Sequence, residues 1–485
     1  MKLYQLLNGI EHTKIGDFEV TEICWDNRKD IKKDGIFVCI EGETFDGHSA
    51  AKAMLKKGAR AVVVEKDLGL KEQILVNDTR EALAKLSSNW FSNPEKSLKL
   101  IGITGTNGKT TIATTIKKVL CKLGYKTGLI GTCDVEIGDE IWKGERSNPT
   151  TPEPYELFEI FRYMADGNCE YVVMEVSSQG LDQKRVSGLR YNVSAFTNLT
   201  QDHLDVHGTM ENYYKAKKLL FDISDVAVIN IDDNWGARLV NEVPCKTVSF
   251  SNKEKADYMA SDIKLSVKGC EYKVADDEGI FDVYFGIPGE FNVSNSLGVI
   301  ACCSQLGLAT EKVVQVLKTT DGIAGRAEIV SFDTNYTIIR DYAHSPDAVE
   351  KILETMRECT NGRVVCLFGC GGNRDAKKRP LMAKAAAKYS DFCIVSSDNP
   401  RNEDPDEIIK EILVGFEGET TPYIAITDRR EAIKWAIDNA QKDDIIAIVG
   451  KGHEDYQVLK NNVKIHFDEK EIVEEILNEI NKKQS

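Results

Sequence analysis

The 13 cysteines of this 485-residue chain include no CxxC pair; the nearest spacings are Cys302 with Cys303 and Cys366 with Cys370. An odd, scattered set excludes a disulfide framework and points to a reducing compartment with thiols kept in the core. No apolar run approaches the ~18 residues that a bilayer span needs. The opening, MKLYQLLNGIEHTK, has neither an apolar core nor a cleavage signal, so no secretory leader is expected. A soluble, cytoplasmic protein is the expectation. Excess positive charge is missing as well: 62 Lys and Arg face 77 Asp and Glu, a net −15. That argues against nucleic acid as the main partner and leaves anionic ligands to local basic sites. Repeats and low-complexity tracts are absent too.

What is present is length and an α/β rhythm. At 485 residues and 42% hydrophobic content, the chain can form roughly three domains with ordinary cores. Residues 1–97 read as a first domain, with DGIFVCIEG and ARAVVVEK as strands, GHSAAKAMLKKGA as a helix between them, and SNPEKS (Ser92–Ser97) as a linker. Residues 98–326 read as a central domain. LKLIGIT, TGLIGT, YVVMEVS, VSAFTNL and VAVINID are its strands, and most are separated by helical stretches, which predicts a doubly wound, mostly parallel sheet. Residues 246–287 read as an antiparallel edge of short strands, followed by helices near 293–306 and 310–319 and a glycine-rich boundary, DGIAGRAE. Residues 327–485 read as a third α/β block, with strands at YTIIRDYA, RVVCLFG, DFCIVSS, PYIAIT and DDIIAIV and a frayed NKKQS tail.

The stretch LKLIGITGTNGKTTIATTIKKVL resembles a phosphate-binding loop but departs from the strict pattern, because Ile103 stands where its first glycine belongs. The loop Gly105-Thr106-Asn107-Gly108-Lys109-Thr110-Thr111 still lies between a strand and a helix that ends at Gly124. Glycines let backbone N–H groups turn onto a phosphate, and the helix N-terminus adds positive potential. Lys109 would neutralise phosphate charge, and the Thr110 hydroxyl can bind Mg²⁺. Glu175 ends a strand and His203 follows another, which makes both Mg²⁺ candidates, although histidine is an unusual ligand for so hard a cation. Lys217, in MENYYKAKKLLFD, reads from spacing alone as a solvated lysine on an amphipathic helix.

The ordered set GTNGKTT, NPTTP, MEVSSQGLDQKRV, TQDHLDVHGTMENYYKAKKLLF, GEFNVSNSLGVIA, GRAE, DYAHSPD, GCGGNRDAKKRPLM, DNPR and GKGHEDYQ resembles the Mur ligases, and more narrowly the MurE type. These ligases add an amino acid to a UDP-N-acetylmuramoyl-dipeptide in cytoplasmic peptidoglycan synthesis. The resemblance spans all three blocks. It implies an N-terminal domain for the UDP end, a central ATP domain and a C-terminal Rossmann-like domain for the amino acid, in a chain expected to act as a monomer. It also implies that ATP phosphorylates the D-glutamate carboxylate and that an amine then attacks the acyl phosphate, so the domains must close during turnover. Two Mg²⁺ ions are implied, held by Thr110, Glu175, His203 and a carbamate on Lys217, which overturns the solvated reading of that lysine. By the same resemblance Asn295 meets adenine, Arg326 phosphate and Asp341 ribose, with His344 near the nucleotide. Thr150, Thr151, Ser177, Gln183 and Arg185 hold the muramoyl-peptide; unaided, NPTTPEPYEL reads as a helix start with a hydroxyl cap.

Within the resemblance, Asp398-Asn399-Pro400-Arg401 matches the pattern for meso-2,6-diaminopimelate rather than L-lysine. Arg401 can pair with the distal carboxylate that lysine lacks, and Arg374, Gly450 and Glu454 match the remaining contacts, with Glu454 taking an ammonium. Four positions depart from the family's habit. Asn27 stands where a serine touches the uracil end, and Gln179, Ala324 and Phe291 replace a histidine, a proline and a histidine. A folylpolyglutamate synthetase would share the loop and the chemistry without DNPR and GKGHEDYQ. A simple ATPase would need none of the acceptor motifs.

Overall fold

The computed structural model describes residues 1–42, 45–320, 322–331 and 334–484, apart from the side chains of residues 205, 483 and 484. Asp321 of the glycine-rich boundary and Ser485 of the tail lie outside the described residues. The chain divides into two compact units, Met1–Phe250 with Gly298–Ala309, and Ser251–Leu297 with Thr310–Ser485.

The first unit opens with four parallel strands in sequential order, β1 (Ile23–Cys24), β2 (Ile36–Val38), β3 (Ala61–Val64) and β4 (Gln73–Leu75). Alternate residues divide between two cores. Ile36, Val38, Ala61 and Val63 pack with Leu83 and Leu86, whereas Phe37, Cys39, Val62 and Val64 pack with Met54. A run apolar on both faces is what a parallel strand covered on both sides requires. Each such Val or Ile contributes about 1.5–3 kcal/mol through burial. The helix Thr79–Trp90 is capped by Asp78, whose carboxylate accepts from the N–H groups of Arg80 and Glu81, both at 2.9 Å.

The second sheet of this unit contains β5 (Lys99–Thr104), β6 (Thr127–Ile130), β7 (Val135–Ile137), β8 (Glu140–Ile141), β9 (Tyr171–Glu175), β10 (Tyr191–Phe196), β11 (Ser224–Asn230) and β12 (Lys246–Ser251). Their order is β12-β11-β10-β5-β9-β6-β7-β8. All neighbours run parallel except β6 with β7 and β7 with β8. After β5 the chain crosses to β6, returns to β9 and then passes to the far side as β10. The loop after β5 therefore sits at the switch point of a doubly wound sheet, where such folds bind ligands. The following helix, Lys109–Lys122, buries Ile112, Ile116, Val119 and Leu120 completely, one stripe at helical spacing, against β6 and β9.

The expected antiparallel edge begins later than the sequence suggested. β12 pairs parallel with β11, from Val226↔Lys246 to Asn230↔Phe250, because the helix Asn234–Leu239, capped by Asp233, supplies the crossover that parallel pairing needs. In the second unit β13 (Tyr258–Ser266), β14 (Gly269–Ala275) and β15 (Ile280–Phe285) are antiparallel. The helices fall at Glu290–Gln305 and Thr310–Leu317. β16 (Glu328–Ile329) runs antiparallel on the edge of a sheet with β17 (Thr337–Asp341), β18 (Val364–Phe368), β19 (Phe392–Val395), β20 (Tyr423–Ala425) and β21 (Ile445–Val449). The order is β16-β17-β21-β18-β19-β20, parallel from β17 onward. β22 (Tyr456–Val458) and β23 (Lys464–His466) form a hairpin the sequence did not announce. The final helix, Glu469–Gln484, keeps the tail helical past Asn481, where fraying was expected.

No disulfide links any of the 13 cysteines, and none is exposed. No helix among the described residues is long and apolar enough to cross a membrane.

Candidate active site

The chain leaves β5 through Gly105, whose φ is +146°, and a Cβ there would lie 1.8 Å from Thr197 Oγ1. Only glycine fits that turn. Thr106 and Asn107 are fixed to the end of β10, their N–H groups donating to the Asn198 backbone at 2.9 Å and its side chain at 3.0 Å. Gly108, at φ 86°, starts the helix without a capping side chain, and Thr110 and Thr111 lie in its first turn. A helix that begins in this way presents an anion-binding end. Lys109 Nζ donates to the carbonyls of Gly105 at 2.9 Å and Thr106 at 2.8 Å.

Lys217 is not solvated. Its side chain is buried, and Nζ donates to the same Gly105 carbonyl at 2.9 Å. Burial first, and the charge of Lys109 second, hold its ammonium pKa well below the usual lysine range. One helical turn earlier, Tyr213 places its ring 4.6 Å from Lys217 Nζ and its hydroxyl 3.3 Å from Thr106 Oγ1. The Tyr213 ring also meets His203 edge-on at 6.1 Å and stacks on His207 at 5.0 Å. Tyr213 thus joins the loop, Lys217 and His203.

Glu175 pairs in register with Ile103, level with the start of the loop, and is 1% exposed. Its carboxylate accepts from the Thr132 N–H and hydroxyl, both at 3.0 Å, and that hydroxyl lies 3.0 Å from Thr150 Oγ1. Thr151 Oγ1 accepts from the Ser177 N–H at 3.0 Å, lies 3.1 Å from the Ser177 hydroxyl and donates to the Glu175 carbonyl at 3.3 Å. Arg185 donates to the Thr151 carbonyl at 2.9 Å and to Gln183 Oε1 at 2.6 Å, with its Nε 2.9 Å from Glu153. These threonines do not cap the helix Pro154–Asp166 as NPTTPEPYEL suggested. Glu156 does, accepting from the Glu153 N–H at 3.2 Å and the Ser147 N–H at 3.0 Å, because the hydroxyls are turned toward Glu175 and Ser177. Lys184, at φ 55°, reaches Asp78 and Glu81, each at 2.6 Å. Asn27 follows β1, and among the described residues its side chain makes no hydrogen bond with this cluster.

The groups that could serve a hard cation are a buried carboxylate, Glu175, and the hydroxyl of Thr110 in the first helical turn. His203, with a half-exposed ring 3.5 Å from Asp202 Oδ2, adds one nitrogen. No cluster of three His, Cys, Asp or Glu forms a self-contained cage among the described residues. That donor set suits Mg²⁺, which keeps water and phosphate oxygens in its shell.

In the second unit Arg326 lies 4.9 Å over the Tyr342 ring. Asp341, at the end of β17, accepts from the N–H groups of Ala327 at 2.7 Å and Ala343 at 2.8 Å. Burial pushes its carboxyl pKa up while the nearby Arg326 charge opposes the shift. Asn295 is buried, its Nδ2 donating to Asn292 Oδ1 at 2.8 Å. His344 packs edge-on against Tyr342 at 4.9 Å.

The remaining predicted residues come together beyond the C-terminal ends of three neighbouring strands: Arg374 after β18, Asp398–Arg401 after β19, and Gly450 and Glu454 after β21. Arg401, at φ 52°, donates to the Gly372 carbonyl at 3.0 Å. A Cβ on Gly372 would lie 1.9 Å from the Pro400 carbonyl, and one on Gly450 would lie 2.8 Å from Asp398 Oδ2. Those glycines let the three loops close on one another. Burial, then the like charge of Arg374, lowers the Arg401 pKa, while Asp398 and Glu454 act the other way. Two arginines beside two carboxylates make a receptor for a ligand bearing both signs of charge.

A family model described as the Mur ligase middle domain matches residues 103–303, and one described as Mur ligase, glutamate ligase domain, matches residues 325–452. The chain belongs to the Mur ligase family. A UDP-N-acetylmuramoyl-L-alanyl-D-glutamate–2,6-diaminopimelate ligase of Clostridium perfringens is 46% identical over 98% of this chain and 97% of its own. Ligase 1 of the same description from Clostridium acetobutylicum is 44% identical over 99% and 100%. A solved structure with that description superposes with a TM-score of 0.69 at 31% identity, covering 95% of each chain. Thr132, Tyr213 and Lys451 also contact the predicted site residues, and the motifs do not single them out. Thr132 lies two residues past the end of β6, in the kind of strand-end position that pointed to Glu175. Tyr213 stands four residues before Lys217, on the same helix face. Lys451 lay inside GKGHEDYQ, but its burial carries no sequence signal.

Proposed function

We propose that this Mur ligase joins meso-2,6-diaminopimelate to the D-glutamate carboxylate of UDP-N-acetylmuramoyl-L-alanyl-D-glutamate, through an acyl phosphate, in cytoplasmic peptidoglycan precursor synthesis. It is an ATP-dependent carboxylate–amine ligase that works with Mg²⁺. The observation that carries the choice of amino acid is Arg401 in its strained turn, within electrostatic reach of Glu454 and Asp398.

Residues 1–97 take the UDP end, residues 98–326 take ATP and residues 327–485 take the diamino acid. A carboxylate acylates poorly, and phosphorylation turns one of its oxygens into a good leaving group. Phosphoryl transfer brings two anions together, so cations must screen them. Lys109 and the helix N-terminus hold the phosphates, with Asn295, Asp341 and Arg326 on adenine, ribose and phosphate. Thr150, Thr151, Ser177, Gln183 and Arg185 orient the muramoyl-peptide, and Asn27 stands at the uracil end. Thr110, Glu175, His203 and a carbamate on Lys217 would hold two Mg²⁺ ions, which would supply further charge neutralisation. Carbamylation needs a free amine, and the burial of Lys217 beside Lys109 favours that form. The attacking amine must also be a free base, so the ammonium taken by Glu454 is the distal one, next to the carboxylate paired with Arg401.

The test supplies enzyme with ATP, Mg²⁺ and the UDP-muramoyl-dipeptide, and offers diaminopimelate or L-lysine separately while product mass and phosphate are followed. Amide formation with diaminopimelate and little with lysine is expected. A preference for lysine would overturn the role given to Arg401, and phosphate release with no amide would overturn the ligase reading for these substrates.

A further inference from the structure

Lys451 follows Gly450 in the loop after β21, and its side chain is wholly buried, 0% exposed. A buried ammonium is costly unless protein groups replace the water it loses. Its Nζ has three such partners: the Tyr456 carbonyl at 2.6 Å, Glu454 Oε2 at 3.2 Å and Asn399 Oδ1 at 3.3 Å. Asn399 completes the ring, its Nδ2 donating to the same Glu454 Oε2 at 3.0 Å and its Oδ1 accepting from the Val458 N–H at 2.9 Å. Lys451 and Asn399 therefore both donate to Oε2 of Glu454, and among the described residues no hydrogen bond reaches Oε1, the oxygen left for a ligand. The ring also ties the turn after β19 to the loop after β21, where Arg401 N–H donates to the Val458 carbonyl at 3.0 Å.

We propose that Lys451 is a positioning residue for diamino-acid specificity, fixing Glu454 so that Oε1 receives the distal ammonium while Arg401 holds the neighbouring carboxylate. The inference rests on the reading that these loops bind a diamino acid. Lys451 touches no reacting atom; it acts through Glu454. Before the ligand arrives it balances the Glu454 charge, and afterwards it prevents the carboxylate from rotating away. A lysine ligand lacks only the carboxylate, so Arg401 and the Lys451–Glu454 pair read two different groups on one carbon.

The test measures KM and kcat of the full-length enzyme for meso-diaminopimelate and for L-2-aminopimelate, which keeps the reacting centre and the distal carboxylate but lacks the distal amine. The wild type, Lys451→Met, Glu454→Gln and the double variant are compared. Lys451→Met is expected to raise KM for diaminopimelate by about tenfold or more, as loss of one partner from a buried charge pair does, with KM for ATP and for the UDP-dipeptide unchanged. Discrimination against aminopimelate should fall to the same residual in both single variants and in the double, because both remove one function. Wild-type discrimination in Lys451→Met, or losses that multiply in the double variant, would overturn the proposal. Should Lys451→Met fail to fold, Lys451→Gln keeps a donor for the Tyr456 carbonyl without the charge and carries the same comparison. A wild type that uses neither amino acid would contradict the functional reading; a wild type that discriminates while the Lys451 variants still do would contradict only this inference.

Discussion

The two proposed ligand-binding regions use one device, loops beyond the ends of parallel strands, for different electrostatic tasks. In the first unit, loops beyond β5, β9 and β10 carry the residues proposed to meet an anion; in the second, loops beyond β18, β19 and β21 carry those proposed to meet a zwitterion. The anion site is made of a glycine turn, a helix N-terminus and two lysines sharing the Gly105 carbonyl. Backbone groups supply much of that site, because a phosphate offers acceptors in every direction, and the lysines add charge. The zwitterion site is made of side chains, Arg374, Arg401, Asp398 and Glu454, set on glycines that let the loops meet. A ligand with both charges on one carbon must find each partner in one place, which is the task proposed for buried scaffolding such as Lys451. The lesson is that phosphate binding is legible as a motif, whereas amino-acid choice is legible only as a constellation.

If the two regions are separable, changes in one should leave the other's ligand untouched. The largest effect is expected for Lys109→Met, which removes a charge from the loop: kcat should fall by about a hundredfold to a thousandfold, as when one transition-state donor is lost. KM for diaminopimelate should hold, and a rise in it would break the comparison. Next, Arg401→Lys keeps the charge but not the fork, and kcat/KM for diaminopimelate should drop about thirtyfold or more with KM for ATP steady. Steady-state kinetics with each substrate varied in turn decide both. Thr132→Val removes the hydroxyl between Glu175 and Thr150, and the Mg²⁺ concentration giving half-maximal activity should rise about tenfold, as for other groups that orient a metal ligand. An unchanged Mg²⁺ titration would make Thr132 a packing residue. The smallest effect belongs to Lys184→Ala, since exposed ion pairs contribute only about 0.2–1 kcal/mol. Thermal unfolding should barely move, and KM for the UDP-dipeptide should rise a few-fold at most.

The sequence foretold most of this fold because its strands are short apolar runs divided by helices at regular intervals, and parallel pairing follows from that alternation. It misread β12 because Asn234–Leu239 is a short helix with little amphipathic signal, and because β12 alternates burial much as the antiparallel strands after it do. The β22–β23 hairpin was missed because all its residues but Val458 are exposed or half-buried and they show no alternating apolar pattern. In the site, strand-end position exposed Glu175 and the glycines exposed the loop. Lys217 defeated periodicity: a lysine on a helix reads as solvated, and only tertiary packing turns it onto the Gly105 carbonyl. Arg401, Asn295 and Arg326 came from resemblance alone, since a single arginine or asparagine in a turn or on a helix has no local signature of its ligand.

The central claim is that the anion half activates a carboxylate that the zwitterion half then supplies with an amine. The most direct measurement places a heavy-oxygen label in the D-glutamyl side-chain carboxylate and runs the reaction with ATP and diaminopimelate. Mass analysis of the released phosphate and of the amide follows. An acyl phosphate requires one labelled oxygen to leave with the phosphate and the other to stay in the new amide. Phosphate without label, alongside amide formation, would contradict the account.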